Sequence, residues 1–274
     1  MTANATLAAT EIEPPILDQI RAAQRGARSS FRLRFIITWA VILGAIGVAI
    51  VATGNANLDF AREWTGYILG GAGLTILISA VSITLATIFA IIGALGRLSR
   101  NGFVNGAASL YVSLVRGTPL LVQILFVFFA LPQMGIVLDP IPAGIVALSF
   151  NYGAYMTEIF RAGIQAVPRG QREAAEALGM REREVMRRIV LPQAVRIVVP
   201  AIGNDFVSMI KDSSLVSVVG LQEILWRANT EGRAHSQLIQ ALLIAALVYW
   251  ALTILFSYFQ ARLERRLALS DVRI

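Results

Sequence analysis

The sequence EAAEALGMREREVMRRIVLP, residues 173–192, is a charged, arginine-rich stretch that lies between strongly apolar segments. Residues 169–178 favour an α-helix, Gly179 can supply the positive φ that ends it, and residues 182–190 favour a second helix. Pro192 has no backbone N–H, so we expect it to block a simple continuation of the second helix. The stretch therefore predicts a short helix–turn–helix. Its first helix carries small residues that would let the backbone of another protein approach closely, namely Ala174, Ala175 and Ala177.

The composition is that of an integral membrane protein. Of the 274 residues 56% are hydrophobic, and the mean hydropathy is +0.67. The chain is also basic, with a formal net charge of +7 at pH 7. We assign this charge to cytoplasmic loops, where basic residues collect in membrane proteins. No basic and aromatic surface pattern accompanies the charge, so we do not expect nucleic acid as a partner.

Residue types that carry much catalytic chemistry are scarce in this chain. It has no cysteine, which excludes disulfides, thiolate metal sites and cysteine nucleophiles. Lys211 is the only lysine and follows Ile210, so the chain has no phosphate-binding P-loop. His235 is the only histidine, which excludes paired-histidine metal sites and disfavours a Ser-His-Asp triad. We predict no metal site and no cofactor in this chain, and we do not expect it to be an enzyme.

Hydropathy predicts an all-α membrane protein with six transmembrane helices and both termini in the cytoplasm. The predicted spans 1 to 6 cover residues 35–53, 70–95, 120–131, 143–160, 198–219 and 238–260. Span 3 follows Thr118-Pro119, so we expect it to begin with an irregular or kinked segment. Arginines place residues 97–116 and 161–196 on the cytoplasmic side. Residues 55–67, residues 132–142 and the segment around Glu223 are expected to be outer loops.

Predicted span 5 is unusually polar for a segment that crosses a bilayer. Asp205 and Asp212 are seven residues apart, which is nearly two helical turns, so they share a face with Ser208 close to it. Ionisable groups at membrane depth are costly and normally face a partner or a water-filled path. Carboxylates and hydroxyls on one face suit a path for a zwitterion. The alternative is that Lys211 and Asp212 form a fixed ion pair that only specifies packing.

Several motifs stand at the spacing of a known family. Glu173-Ala174-Ala175, Gly179 and Ile189-Val190-Leu191-Pro192 match the EAA loop, and the chain resembles the permease subunits of bacterial type I ABC importers. Further stretches resemble the polar amino-acid branch of that family, namely RGTPL at 116–120, AYMTEI at 154–159, AVPRGQ at 166–171, NDF at 204–206 and KDSSLV at 211–216. The resemblance covers about residues 66–269. It leaves residues 1–32 as a polar N-terminal cytoplasmic extension and residues 33–54 as an extra transmembrane helix before a five-helix core.

The resemblance implies a location in the bacterial inner membrane and a set of partners. Two copies of a cytoplasmic ATP-binding subunit, which hold the ATP and Mg²⁺, would grip the EAA loops at about residues 168–192. A second permease subunit, identical or paralogous, would complete the pathway in the lipid bilayer, and a periplasmic solute-binding protein would deliver the solute. The residues that the resemblance assigns to coupling with the ATPase are Glu173, Ala174, Ala175, Gly179, Ile189, Leu191 and Pro192.

The resemblance also indicates which residues line the substrate path. They are Asp205 and Asp212 first, followed by Ser149, Asn151, Thr118 and Ser208. The substrates implied are polar amino acids, with the two acidic residues favouring cationic ones such as arginine or histidine, or opine-like derivatives. A carboxylate can equally bind the α-ammonium group of any amino acid. Glu158 is either part of the path or a structural partner of Arg161 or Arg169.

Two other functions remain open from the residues. An ion-coupled secondary transporter would use Asp205 and Asp212 as proton or sodium sites, but it predicts inverted repeats, and none is visible. A purely structural membrane protein would leave the polar residues of span 5 unexplained. The EAA-like stretch itself also fits a solvated amphipathic loop between two membrane helices.

Overall fold

The computed structural model describes residue 31, residues 33–45, 47–48 and 52, and residues 57–268. The chain divides into two compact units between residues 56 and 57. In the first unit, the described part of predicted span 1 is helical and includes helix α1, Leu33–Ala45. The predicted extension at residues 1–32 lies, apart from residue 31, outside the described residues.

The second unit is built from helices throughout its described residues. The α-helices are α2 (Leu58–Leu69), α3 (Ala72–Leu98), α4 (Gly102–Arg116), α5 (Leu120–Leu125), α6 (Pro140–Gln165), α7 (Arg169–Ala177), α8 (Glu182–Val185), α9 (Leu191–Asp212), α10 (Ile224–Ala234) and α11 (Leu238–Ala268). Two π-helical turns occupy Phe126–Ala130 and Met186–Val190, and two 3₁₀ segments occupy Leu131–Met134 and Ser213–Val219. The predicted all-helical class is therefore confirmed.

Length and composition identify fewer crossing helices than six. Among the described residues, the segments Leu58–Leu98 and Leu238–Leu267 are long and apolar enough to cross a membrane. A third crossing is possible if the pair Gly102–Arg116 and Leu120–Met134, which are bent by 106° to each other, counts as one span. This bend confirms the irregular start predicted for span 3. The number of spans and the side of each terminus stay predictions.

Helices form in three segments for which no helix was predicted. α2 occupies most of the predicted outer loop at 55–67, α4 lies in the segment 97–116 that was predicted to be cytoplasmic, and α10 forms in the predicted last outer loop. Each begins at a side chain that accepts backbone N–H groups of the first turn, which is the role of an N-cap. These residues are Asn57, Asn101 and Glu223. These helices are amphipathic and each is shorter than a membrane span, so hydropathy alone does not predict them as separate helices.

The expectation that Pro192 blocks continuation of the second EAA helix is wrong. The helix that begins at Glu182 continues through the π-helical turn Met186–Val190 into α9, with Pro192 in its first turn. In this turn the N–H of Leu191 donates to the carbonyl of Met186, five residues back. A π-helical turn is wider than an α-turn, so it can absorb the hydrogen bond and the space that a proline disrupts.

The central helices approach closely because their facing residues are small. At Gly153 of α6, an added Cβ would lie 2.7 Å from Cβ of Phe89 in α3, and at Gly144 it would lie 2.5 Å from Val216. Ala86, Ala90 and Ala147 are buried in the same core, beside Leu148 and Met156. Small residues are typical of tightly packed membrane helices. They fix α3 against α6, and α6 carries part of the candidate site described below.

The buried carboxylate of Glu223 joins three helices near the N-terminal end of α3. The Glu223 side chain is 0% exposed and accepts the N–H of Trp226 at 2.9 Å, which caps α10. It also accepts the hydroxyl of Thr75 in α3 at 3.5 Å and the hydroxyl of Tyr249 in α11. Burial raises the pKa of Glu223 above its ordinary value, and these three donors oppose that rise. The carboxylate thereby fixes α10 to both membrane-length segments.

The backbone of α10 also packs directly on Gly71, which generates a prediction. A Cβ on Gly71 would lie 2.6 Å from the backbone nitrogen of Ile224, although the φ of −69° at Gly71 suits any residue. Gly71→Ala should therefore lower stability by about 1–3 kcal/mol through overpacking. Gly73→Ala is the matched control, because no atom lies within 4 Å of its Cβ position and alanine favours the helix. Thermal unfolding of the purified protein in detergent measures both. Equal midpoints for the two variants would contradict the close approach of α10.

Candidate functional site

Nine residues from three separate segments enclose a cavity of about 300 Å³. The segments are the bend between α4 and α5, the middle of α6 and the C-terminal half of α9. A volume of this size lies at the lower end of the range for small-molecule sites. The lining residues are Thr118, Pro119, Leu120, Asn151, Tyr152, Tyr155, Asp205, Ser208 and Asp212. Five of the six residues predicted for the substrate path therefore lie together at one cavity.

The bend before α5 is held by a glutamine that the sequence did not single out. α4 ends at Arg116 and α5 begins at Leu120 after the N-cap Pro119, which leaves backbone carbonyls without helical partners. The Nε2 atom of Gln123 lies 2.8 Å from the carbonyl oxygen of Val115 and 3.1 Å from that of Thr118. Its Oε1 accepts the side-chain amide of Asn151 at 3.2 Å. Gln123 therefore fixes the backbone at the bend and also orients a residue of the cavity wall.

The two acidic residues of the cavity differ in their surroundings. Tyr152 donates its hydroxyl to Oδ2 of Asp212 at 2.7 Å, so one oxygen of this carboxylate has a neutral partner. Oδ2 of Asp205 is buried and has no hydrogen-bond partner among the described residues. A buried carboxylate oxygen without a donor is unfavourable unless a cation, a proton or a solute group supplies one. Asp205 is thus the group in this cavity that most needs an external partner.

The ion pair considered for Lys211 is not formed within the described part of the chain. Lys211 is exposed, and the ion pairs among described residues do not include it. Asp212, one residue further, points to Tyr152 instead. The polar residues of α9 are therefore not explained by a fixed Lys211–Asp212 pair.

Ser149 and Glu158 lie apart from the cavity wall. The hydroxyl of Ser149 is buried and donates to the carbonyl of Ile145 in its own helix at 2.6 Å. Glu158 accepts from Arg161 at 2.6 Å and from Arg97 of α3 at 3.2 Å, so its partners are these two arginines. A half-buried ion pair of this kind contributes little to stability on its own. It links the ends of α3 and α6, and Ser149 remains an untested member of the predicted path.

The predicted helix–turn–helix of the EAA stretch is present. α7 ends in a turn in which Gly179 has a φ of +80°, its N–H donates to Glu176, and the N–H of Met180 donates to Ala175. This pair of hydrogen bonds is the Schellman motif, which requires a left-handed residue at the position of Gly179. The glycine is therefore used for the conformation that the sequence predicts.

The residues predicted to couple this chain to the ATPase differ in their exposure. The exposed ones are Glu173, Ala174, Gly179, Leu191 and Pro192. Ala175 is only 4% exposed and packs with Val185 and Val190, because it faces the second helix of the motif. The expectation that Ala175 lies on a face open to another protein is therefore wrong, whereas Ala174 and Ala177 are exposed. Leu178, which the prediction omitted, is 84% exposed at the tip of the motif.

A groove runs along the second helix of the motif. It measures about 460 Å³ and is lined by Glu182, Arg183, Met186, Arg187 and Leu191. The described residues contain no group of three or more His, Cys, Asp or Glu side chains placed to hold a metal ion. An apolar floor with charged edges suits contact with another protein.

Comparison with known proteins identifies relatives of this chain in sequence and in fold. Residues 82–269 match the family described as "Binding-protein-dependent transport system inner membrane component". The chain is 41% identical to the L-cystine transport system permease protein TcyB of Bacillus subtilis, over 72% of this chain and 85% of that protein. It is 38% identical to the arginine transport system permease protein ArtQ of Bacillus subtilis, over 78% of this chain and all of that protein.

A solved structure and a further relative agree with these matches. The structure described as an amino acid ABC transporter with histidines superposes with a TM-score of 0.74 at 34% identity, covering 77% of this chain and 99% of that one. The histidine/lysine/arginine/ornithine transport system permease protein HisQ of Escherichia coli is 36% identical over 74% of this chain and 94% of its own length. The methionine ABC transporter MetNI, at 18% identity and a TM-score of 0.60, shares the fold.

Proposed function

This chain belongs to the family of binding-protein-dependent transport system inner membrane components, and we propose that it moves polar, preferably cationic, amino acids from the periplasm to the cytoplasm. It is a non-catalytic permease subunit of an amino-acid ABC importer in the inner membrane, and the ATPase is a partner subunit. Opine-like derivatives are included in the proposed substrate range. In the proposed topology six spans cross the membrane, with helix α1 as an addition to a five-helix core and both termini in the cytoplasm.

The unpartnered carboxylate oxygen of Asp205 is the observation that carries the substrate proposal. An ammonium or guanidinium group entering the cavity would supply the donor that Asp205 lacks, in a hydrogen bond strengthened by both charges. The hydroxyl of Ser208 and the amide of Asn151 lie in the same wall and would orient the solute. Two relatives are described as arginine and histidine/lysine/arginine/ornithine permeases, which supports a cationic substrate. Another is described as an L-cystine permease, so the choice within amino acids needs its own test.

The coupling segment, defined here as residues 168–192, is proposed to dock on the ATP-binding subunit. Its exposed Glu173, Ala174 and Leu178 form a tip that a partner could grip, and the adjacent groove along α8 enlarges this surface. The complete importer would contain two ATP-binding subunits, a second permease and a periplasmic binding protein. Closure of the ATP-binding subunits would draw the two coupling segments together and switch access by rigid-body movement of the helices.

An ion-coupled secondary transporter remains the second candidate from the carboxylates alone. A proton could satisfy Asp205 as well as a solute ammonium does. The family membership argues against this mechanism, because its members work with a binding protein. We therefore do not favour it.

Substituting Asp205 tests the substrate proposal directly. Asp205→Asn keeps the shape of the side chain and removes its charge, so the KM for arginine uptake should rise about 10- to 100-fold, as for loss of a charge-assisted hydrogen bond. Uptake of labelled arginine is measured in cells that carry this permease with its partner subunits, and unlabelled lysine, histidine, glutamine, glutamate and octopine compete. The matched control is Asp59→Asn, which changes an exposed aspartate in α2 and should leave uptake unchanged.

Two outcomes of this experiment would contradict the proposal. If glutamine and glutamate compete as strongly as lysine in the wild type, the cavity reads only the groups common to all amino acids, and the cationic preference is wrong. If Asp205→Asn transports arginine with the wild-type KM, Asp205 does not bind the solute.

Coupling is tested at the turn of the motif. Gly179→Pro cannot adopt a φ of +80° and loses the N–H that donates to Glu176, so the turn should not form and coupled uptake should be abolished. Glu173→Lys reverses a charge on the exposed face and should have the same effect while membrane insertion is kept. Gly170→Ala is the control in the same helix, because no atom lies within 4 Å of its Cβ position. Substrate uptake and substrate-stimulated ATPase activity are measured, and wild-type rates for Gly179→Pro and Glu173→Lys would refute the coupling assignment.

A further inference from the structure

The charged side chains of the cavity wall are all acidic, whereas a zwitterionic solute carries charges of both signs. Its wall contains Asp205 and Asp212 and no basic side chain. An amino acid brings an α-carboxylate together with its α-ammonium group, and the two aspartates would repel that carboxylate. A cation close to the cavity is therefore needed to bind the α-carboxylate of the solute.

Arg116 contacts Tyr155, a residue of the cavity wall. It is the last residue of α4 and stands two residues before Thr118, which lines the wall. Its guanidinium carbon lies 5.2 Å from the centre of the Tyr155 ring, and Tyr155 also lines the wall. Arg116 is exposed, and no acidic side chain of the described residues forms an ion pair with it. An unpaired guanidinium is thus held beside two residues of the cavity.

The contact with Tyr155 gives this guanidinium a fixed position without using its donors. An arginine over an aromatic face interacts through the face of its planar group, and the N–H groups at its edge stay free. These donors form a fork that matches the two oxygens of a carboxylate. The segment Leu120–Met134 is bent by 106° to α4, and Arg116 is exposed at the end of α4.

We propose that Arg116 binds the α-carboxylate of the transported amino acid, while Asp205 takes its ammonium or guanidinium group. This assignment rests on the proposed function of the cavity and adds its specificity for solutes that carry a carboxylate. Tyr155 is the positioning residue, because it holds the guanidinium of Arg116 over its ring. Basic residues near membrane helices also set topology, and that role makes no demand on the carboxylate of a solute.

The test compares ligands that differ only in the carboxylate. The permease is purified in complex with its ATP-binding subunit, and binding of labelled arginine is measured in detergent without the binding protein. Unlabelled arginine, argininamide and agmatine compete, and agmatine lacks the carboxylate altogether. Arg116→Gln should weaken arginine binding about 10- to 100-fold, the loss expected for a charge-assisted contact, and leave the affinity for agmatine unchanged.

Matched variants separate recognition from structure. Arg100→Gln removes an equally exposed arginine outside the cavity wall and should leave the affinities for arginine and agmatine unchanged. Tyr155→Phe keeps the ring and should bind arginine as the wild type does, whereas Tyr155→Leu should weaken arginine binding but not agmatine binding. Arg116→Lys keeps the charge without the fork and should fall between the wild type and Arg116→Gln.

The results that overturn this inference differ from those that overturn the proposed function. An Arg116→Gln complex that binds arginine as tightly as the wild type, or that loses arginine and agmatine equally, refutes the assignment of Arg116 alone. A wild-type complex that binds arginine in no measurable amount and supports no arginine uptake refutes the cationic substrate proposed for the cavity, and the assignment falls with it.

Discussion

Backbone carbonyls that are freed where a helix ends need new partners, and this constraint explains the arrangement around the cavity. The bend between α4 and α5 frees the carbonyls of Val115 and Thr118, and the amide of Gln123 lies within hydrogen-bond distance of both. Irregular backbone is tolerated at membrane depth only where protein buries it or where it lines a cavity. The second condition holds here, because Thr118 and Pro119 of the bend line the cavity, and Gln123 supplies hydrogen bonds to the freed carbonyls. The cavity and the irregular backbone therefore depend on each other.

Helical periodicity predicted that two residues of the candidate site lie on the same face of a helix. The seven-residue separation of Asp205 and Asp212 placed them on one face of a helix, and they do line one cavity. The positive φ of Gly179 was likewise predictable, because the residues before it favour a helix and glycine ends one readily. The apolar runs predicted the helices α3, α6 and α11 to within a few residues at most of their ends, since a long run of mainly apolar residues is a strong local signal.

Properties that depend on tertiary partners could not be predicted in this way. Asp205 and Asp212 are equivalent in the sequence, and only the fold reveals that Tyr152 of α6 donates to Asp212 and leaves Asp205 without a donor. Gln123 resembles any polar residue of an apolar run until the carbonyls at the bend are known. Ala175 could not be told from Ala174 as a surface residue, because the second helix of the motif decides which of them it covers. The amphipathic helices α2 and α10 were missed for the same reason, as their apolar residues pack against each other and against α11.

The continuous helix from Glu182 to Asp212 gives the error about Pro192 a functional meaning. The π-helical turn carries the chain past Pro192, so the second helix of the coupling segment and both acidic residues of the cavity belong to one helix of about 45 Å at 1.5 Å per residue. A helix transmits displacement as a rigid body unless it bends, and bends concentrate where an intrahelical hydrogen bond is missing. Pro200 is such a position, and it lies between the coupling segment and Asp205. A shift of the coupling segment would therefore be carried towards the cavity by this helix, and Pro200 is a point between the two at which the helix can bend.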